Sequence, residues 1–112
     1  MSAVPRKTVD LVRQRDAGCV RCGVWGGNVH HRQMRSQAPK DTVHAVENLI
    51  LLCGSGTTGC HGWVHAHPAE SYRKGWLVRS WQSPPDVPVA YPGGGFFYLT
   101  ERGTRIKTKE TS

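Results

Sequence analysis

A chain of 112 residues, 38 % of them hydrophobic, has room for one small domain and little core, so a metal or covalent staple is expected. Its net charge of +7 is uneven, because residues 1–40 hold eight of the fifteen Lys/Arg but only two of the eight Asp/Glu. That imbalance suits a polyanionic partner, most simply nucleic acid, or else a basic surface that only aids solubility. The longest aliphatic run, Leu49 to Leu52, is far too short to span a bilayer, and no apolar run follows residues 1–7, so neither a membrane partner nor a secretory signal is expected. The expected setting is cytoplasmic, where paired cysteines bind metal more often than they form disulfides.

In chain order, residues 8–15 read as a short helix capped by Thr8, with Val9 and Val12 on one face and Gly18 as a left-handed stop. Arg13 and Arg15 on it would face solvent or phosphate. Cys19-Val20-Arg21-Cys22-Gly23 has the C-x2-C-Gly form of a metal knuckle, whose tight turn brings two thiolates to tetrahedral spacing. Cys53 and Cys60 form a second pair around the glycine-rich insert 54–59, small enough to fold back and let Cys60 reach the same ion. Four cysteines on one structural zinc is the favoured reading, against two disulfides or free buried thiols.

Residues 29–32 read as a short strand with Val29 and His31 on one face and His30 and Arg32 on the other. The adjacent histidines then point opposite ways unless the strand ends or twists between them. Residues 33–46 form a polar connector carrying Arg35 and Lys40, and His44 within it reads as an ordinary surface histidine. Residues 48–52 are a second, buried strand able to pair antiparallel with the first. A helix starts at Cys60, putting His61 and His65 one turn apart on one face, with Cys60 and His61 about 100° apart around it. Residues 68–75 continue as helix, 76–81 alternate as a strand, 83–88 form an extended linker, and 96–100 with 105–107 make a β-hairpin. Residues 109–112 are expected to fray. The expected organisation is an α+β domain over residues 1–83 with its core at 19–67, followed by a C-terminal extension over 84–112.

A phosphodiester is an anion that repels hydroxide. Hydrolysing it requires neutralised charge, a water in line and a stabilised leaving oxygen, and one divalent ion supplies the first and last. A neutral histidine can take the water's proton at physiological pH. His30, His61 and His65 are candidate ligands and His31 the candidate base. The alternative is a second structural zinc site or plain surface histidines. Three imidazoles favour a borderline transition ion over magnesium, which prefers oxygen.

The run His30-His31, then Asn48 before an apolar strand, then Cys60-His61-x3-His65 resembles the HNH endonucleases, whose ββα-metal core also occurs in colicin nucleases. Over residues 19–67 the chain is most similar to the small zinc-bearing HNH proteins of bacteriophages, often encoded beside the packaging terminase. The resemblance implies His31 as general base and His30 as a metal ligand. It implies Asn48 as the residue that holds the loop carrying the base, and His61 and His65 as the remaining ligands. His67 is an alternative to His65. The insert between Cys53 and Cys60 departs from the pattern. The resemblance further implies a zinc-stapled, phage-type DNA endonuclease that nicks or cuts duplexes in an infected bacterial cytoplasm. Its partners would be DNA and a terminase or other packaging protein. Its second ion would be Mg²⁺, Mn²⁺, Ni²⁺ or Zn²⁺. Arg32, Arg35 and Lys40 are the expected DNA phosphate contacts. The alternative function is a non-catalytic, zinc-stapled nucleic-acid-binding or packaging-accessory protein.

Overall fold

The sequence places one uninterrupted apolar run, Leu49–Leu52, where a strand must be buried on both faces, and the computed structural model is arranged around it. The structure describes residues 3–108, and the tail expected to fray lies outside the described residues. Strand β1 (Asn28–His31) pairs antiparallel with β2 (Leu49–Leu52), with His30 opposite Ile50 and His31 opposite Leu49. On one face of β2, Leu49 and Leu51 pack with Val12 of helix α1 (Arg6–Asp16). On the other, Ile50 and Leu52 join a larger core with Cys60, Val64, Trp76, Tyr91 and Leu99.

Helix α1 starts two residues earlier than expected. Pro5, not Thr8, sits at its N-cap, where its carbonyl accepts the Val9 N–H at 3.0 Å. Its left-handed stop is Ala17 at φ 61°; Gly18 is instead pressed against the Val24 carbonyl, where a Cβ would lie 2.5 Å away. Arg15 does not face solvent. Its guanidinium is buried, donates to the Asp16 carboxylate and to the carbonyls of Val46 and Leu49, and Asp16 in turn accepts from the Tyr91 hydroxyl and the Leu51 N–H. This network ties α1, β2 and the C-terminal third together.

Helix α2 (Gly59–Ala66) and helix α3 (Pro68–Arg73) follow β2. The expected strand at 76–81 is absent: the carbonyls of Trp76, Arg79 and Ser80 accept from the side chains of His30 and Gln33 in place of a neighbouring strand. The segment runs irregularly beside the end of β1, with the Val78 N–H on the Arg32 carbonyl at 2.8 Å. Nor is 83–88 an extended linker, because Pro84–Asp86 form a 3-10 turn. A second antiparallel sheet joins β3 (Val89–Ala90), β4 (Phe96–Leu99) and β5 (Arg105–Lys107), so the expected hairpin is present and gains a third strand. Val89, Tyr91 and Leu99 from this region lie in the same core as Ile50 and Leu52. The result is a small α+β fold with two small sheets. Among the described residues, no helix is long and apolar enough to cross a membrane.

Candidate functional site

The four cysteines meet. The Sγ atoms of Cys19, Cys22, Cys53 and Cys60 all lie within 4.8 Å of one another and none is in a disulfide. Cys22 and Cys53 are 3.8 Å apart, the edge of a tetrahedron with Zn–S bonds of about 2.3 Å. The knuckle closes through the Gly23 N–H on the Cys19 carbonyl at 2.8 Å and the Cys22 N–H on Cys19 Sγ at 3.5 Å. The insert 54–59 departs from a tight knuckle yet brings Cys60 home. Its ends are glycines at φ 81° and 60°, and a Cβ on Gly54 would lie 2.2 Å from the Thr58 carbonyl oxygen. Folding back this tightly puts the Cys60 N–H on Cys53 Sγ at 3.4 Å.

Four thiols this close interact strongly. Burial raises the Cys19 thiol, but backbone N–H groups around it outweigh that and hold it at about 7, while burial pushes Cys60 up to about 12. A divalent ion would deprotonate such a set outright. Arg21 suits that state, with its guanidinium 3.3 Å from Cys60 Sγ and 3.7 Å above the Trp63 ring. There it offsets the net negative charge of four thiolates on a dication. The cluster is therefore compatible with zinc.

A second cluster lies one residue further along α2. His30 from β1 points to the Ile50 side of the sheet, toward α2, where His61 and His65 occupy one face. The three rings form a nearly equilateral triangle, with centroids 5.0, 5.2 and 5.5 Å apart, and one nitrogen of each lies within 4.8 Å of the others. His30 is buried, and its Nε2 donates to the Trp76 carbonyl at 3.0 Å. A carbonyl only accepts, so this bond fixes the tautomer and leaves the Nδ1 lone pair free. Burial, with the neighbouring imidazoles, lowers His30 to about 3, and burial and His65 lower His61. The Nδ1 of His61 is the one buried side-chain nitrogen or oxygen among the described residues with no hydrogen-bond partner. A His30 whose Nδ1 lone pair is left free and a His61 whose Nδ1 is orphaned, with His65 within reach of both, fit a borderline divalent ion. His67 does not join them: its Nδ1 donates to the Trp63 carbonyl at 2.9 Å and its ring stacks on Trp63.

His31 ends β1, and the strand's end lets both adjacent histidines line one depression of about 330 Å³ with Met34, Arg35, His61 and His65. His31 is half-buried. Burial, His44 and Arg35 together lower its pKa to about 4. His44, read from sequence as an ordinary surface residue, is half-buried and pairs with it, Nδ1 to His31 Nε2 at 3.0 Å. The two stand thirteen positions apart in the sequence, and no spacing rule connects them.

Asn48 is fully buried at the foot of the connector. Its Oδ1 accepts the Gln33 N–H at 2.7 Å, and its Nδ2 donates to the carbonyls of Val43 and Gln33 at 2.9 and 3.3 Å. One side chain thus clamps both ends of the connector, beside His31 at one end and His44 at the other.

The expected phosphate contacts divide. Arg35 and Lys40 are exposed, and Arg35 lines the depression. Arg32 is fully buried and cannot meet phosphate. Its guanidinium donates to the carbonyls of Gly75, Glu47, Pro84 and Val87 at 2.7, 2.7, 3.1 and 2.6 Å. By sequence alternation Arg32 shares a face with His30 and is expected on phosphate; in the fold it follows the end of β1, and nothing in the sequence signals its four backbone acceptors. Gln33 was missed for the same reason: it is buried, and its Nε2 donates to the carbonyls of Arg79, Ser80 and Gln82. The chain matches no family model, no curated protein and no solved structure.

Proposed function

We propose that the chain is a metal-dependent endonuclease of the HNH type that hydrolyses DNA phosphodiester bonds, with β1, β2 and α2 as its ββα-metal core and the four-cysteine cluster as a structural zinc site. The observation that carries this reading is the convergence of the His30, His61 and His65 triangle with His31 in one depression, on a chain of net charge +7. His30, His61 and His65 would hold the ion, which when bound supplies charge neutralisation at the phosphate and stabilisation of the departing oxygen.

The protein's own groups do the rest. His31 takes the proton of the attacking water as that water's oxygen bonds to phosphorus and the phosphorus–leaving-oxygen bond breaks. With its Nε2–H donating to His44 Nδ1, across the 3.0 Å contact between the two rings, the His31 Nδ1 lone pair is the one that takes the proton. His31 is neutral at pH 7, and the anionic phosphodiester beside it raises its basicity toward the working range. Asn48 fixes His31 and His44 relative to each other through the connector. Arg35 and Lys40 are the exposed cations that hold neighbouring phosphates. A phage setting with a terminase or other packaging partner belongs to the same reading, through the resemblance in residues 19–67.

The test is cleavage of supercoiled plasmid by protein freed of loosely held metal, with Mg²⁺, Mn²⁺, Ni²⁺ and Zn²⁺ added back, beside His31→Ala. The expected result is ion-dependent nicking or cutting that His31→Ala abolishes while fold and DNA binding persist. No cutting with any ion by folded, zinc-loaded protein would overturn the catalytic reading in favour of a binding module.

A further inference from the structure

We infer that the turn at residues 79–82 is a stacking site for an unpaired nucleobase, with Trp81 as its platform and Arg79 as the flanking cation. Trp81 is 76 % exposed, and an isolated exposed indole needs no explanation. Its mounting does. Gln33 is itself buried and holds the turn through three carbonyls, those of Arg79, Ser80 and Gln82, at 2.9, 3.4 and 2.9 Å. Gln82 closes it from within, its N–H on the Arg79 carbonyl at 3.0 Å and its Oε1 accepting the Arg79 N–H at 3.2 Å. An aromatic ring at the tip of so constrained a turn is pre-organised, which lowers the ordering cost of a ligand.

The surroundings select the ligand. The Arg79 guanidinium lies 3.9 Å above the Tyr72 ring and 5.6 Å from the Trp81 ring, and it takes part in none of the ion pairs among the described residues. Trp81 walls a groove of about 320 Å³ with Pro39, Ala45, Pro84 and Glu47. The Glu47 carboxylate repels a phosphate but accepts from the exocyclic amino group of a base. A π-face, largely apolar walls, polar groups from Thr42, Glu47 and Ser83, and an adjacent cation match a nucleobase whose own phosphate stays outside on Arg79. A paired, stacked base hides its face, so the ligand is a single strand or an unpaired base in a duplex.

The groove also adjoins the segment that carries the histidines: Gln33 lines it and His31 lines the depression of the histidine triangle, and two residues put their Cα atoms at most about 7 Å apart. The inference deepens the nuclease reading and rests on it for the DNA, naming single-stranded or locally unpaired DNA as the preferred substrate.

The test measures binding of a fluorescent oligo-dC, whose bases carry the exocyclic amino group, by anisotropy, using zinc-loaded full-length protein with no added divalent ion. The variants are Trp81→Ala, Trp81→Phe, Arg79→Ala and, as an exposed indole elsewhere, Trp25→Ala. Trp81→Ala is expected to weaken binding about 5- to 150-fold, with Trp81→Phe restoring most of it and Trp25→Ala within about twofold of wild type. Arg79→Ala should lower the salt slope by about 0.7. Equal binding by Trp81→Ala and wild type, or an equal loss in Trp25→Ala, would overturn the inference. Plasmid cleavage on the same preparations separates the two readings. Cutting with Trp81-independent binding removes only the stacking site, and Trp81-dependent binding without cutting removes only the nuclease.

Discussion

Arg32→Met separates what the sequence implied for Arg32 from what the fold does with it. The side chain is fully buried and donates to four carbonyls, at Gly75, Glu47, Pro84 and Val87. Burial lowers its pKa to about 9, so it remains charged at neutral pH, and the four oxygens compensate its lost hydration. Met fills similar volume but donates nothing. The Pro84 carbonyl keeps the Val87 N–H at 3.1 Å, leaving three oxygens to lose their Arg32 donor, the Gly75 oxygen from a buried bond and the Glu47 and Val87 oxygens from part-buried ones. At about 1–3 kcal/mol for the buried oxygen and less for the two that water can reach, the change costs about 2–5 kcal/mol, a large part of the 5–15 kcal/mol that holds a typical domain. Urea unfolding of the zinc-loaded protein, followed by far-UV circular dichroism, should show a large fall in midpoint for Arg32→Met and almost none for Lys40→Ala. An unchanged midpoint with weakened DNA binding would refute this account and restore Arg32 as a phosphate contact.

Asn48→Ala should destabilise by about 2–4 kcal/mol, because it leaves the Gln33 N–H and the Val43 carbonyl unpaired, and should slow plasmid cleavage about 10- to 100-fold by releasing the connector. His44→Ala should leave the urea midpoint within about 1 kcal/mol, since His44 is only half-buried, yet slow cleavage about tenfold; an unchanged rate would show that the His31–His44 bond is idle. His30 makes stability pH-dependent. It titrates near 3 when folded and near 6.5 when unfolded, so the unfolded chain binds the extra proton between these values. Its contribution is full above about pH 6.5 and lost as pH falls toward 3, up to about 5 kcal/mol. Urea midpoints of wild type and His30→Gln without divalent ion should therefore converge on acidification; parallel lines would contradict the assignment. Cys22→Ser should lose tightly bound zinc by elemental analysis and expose the remaining thiols to a thiol reagent, whereas His65→Ala should retain that zinc.

The local pieces of both clusters were legible because each rests on short-range spacing. A C-x2-C turn, a two-residue strand alternation and an i, i+4 helix pair fix side-chain direction without knowledge of the fold. Arg32, Gln33 and His44 were not legible, and the reasons differ. Arg32 and Gln33 bond to backbone carbonyls at 75–87, and every residue carries a carbonyl, so no side chain there signals the partner. The same bonds explain the missing strand at 76–81: its backbone satisfies side chains of the β1 end in place of a neighbouring strand. His44 meets His31 only because Asn48 draws the two ends of the connector together, a relation set by a third residue.

Helix α2 makes the two clusters interdependent. Cys60 and His61 are consecutive on it, one facing the cysteines and the other His30 and His65. The helix start is fixed by the Cys60 N–H on Cys53 Sγ at 3.4 Å and the His61 N–H on the Cys53 carbonyl at 3.0 Å, contacts that exist only when the insert is closed. An ion on the four thiols would hold that closure together and thereby set the rotation of α2 about its axis. A helix turns about 100° per residue, so a small slip at Cys60 carries His61 and His65 away from His30 and the fixed Trp76 carbonyl behind it. The cysteine cluster thus acts on the histidine triangle without touching it, as the part that makes three imidazoles from two distant segments converge.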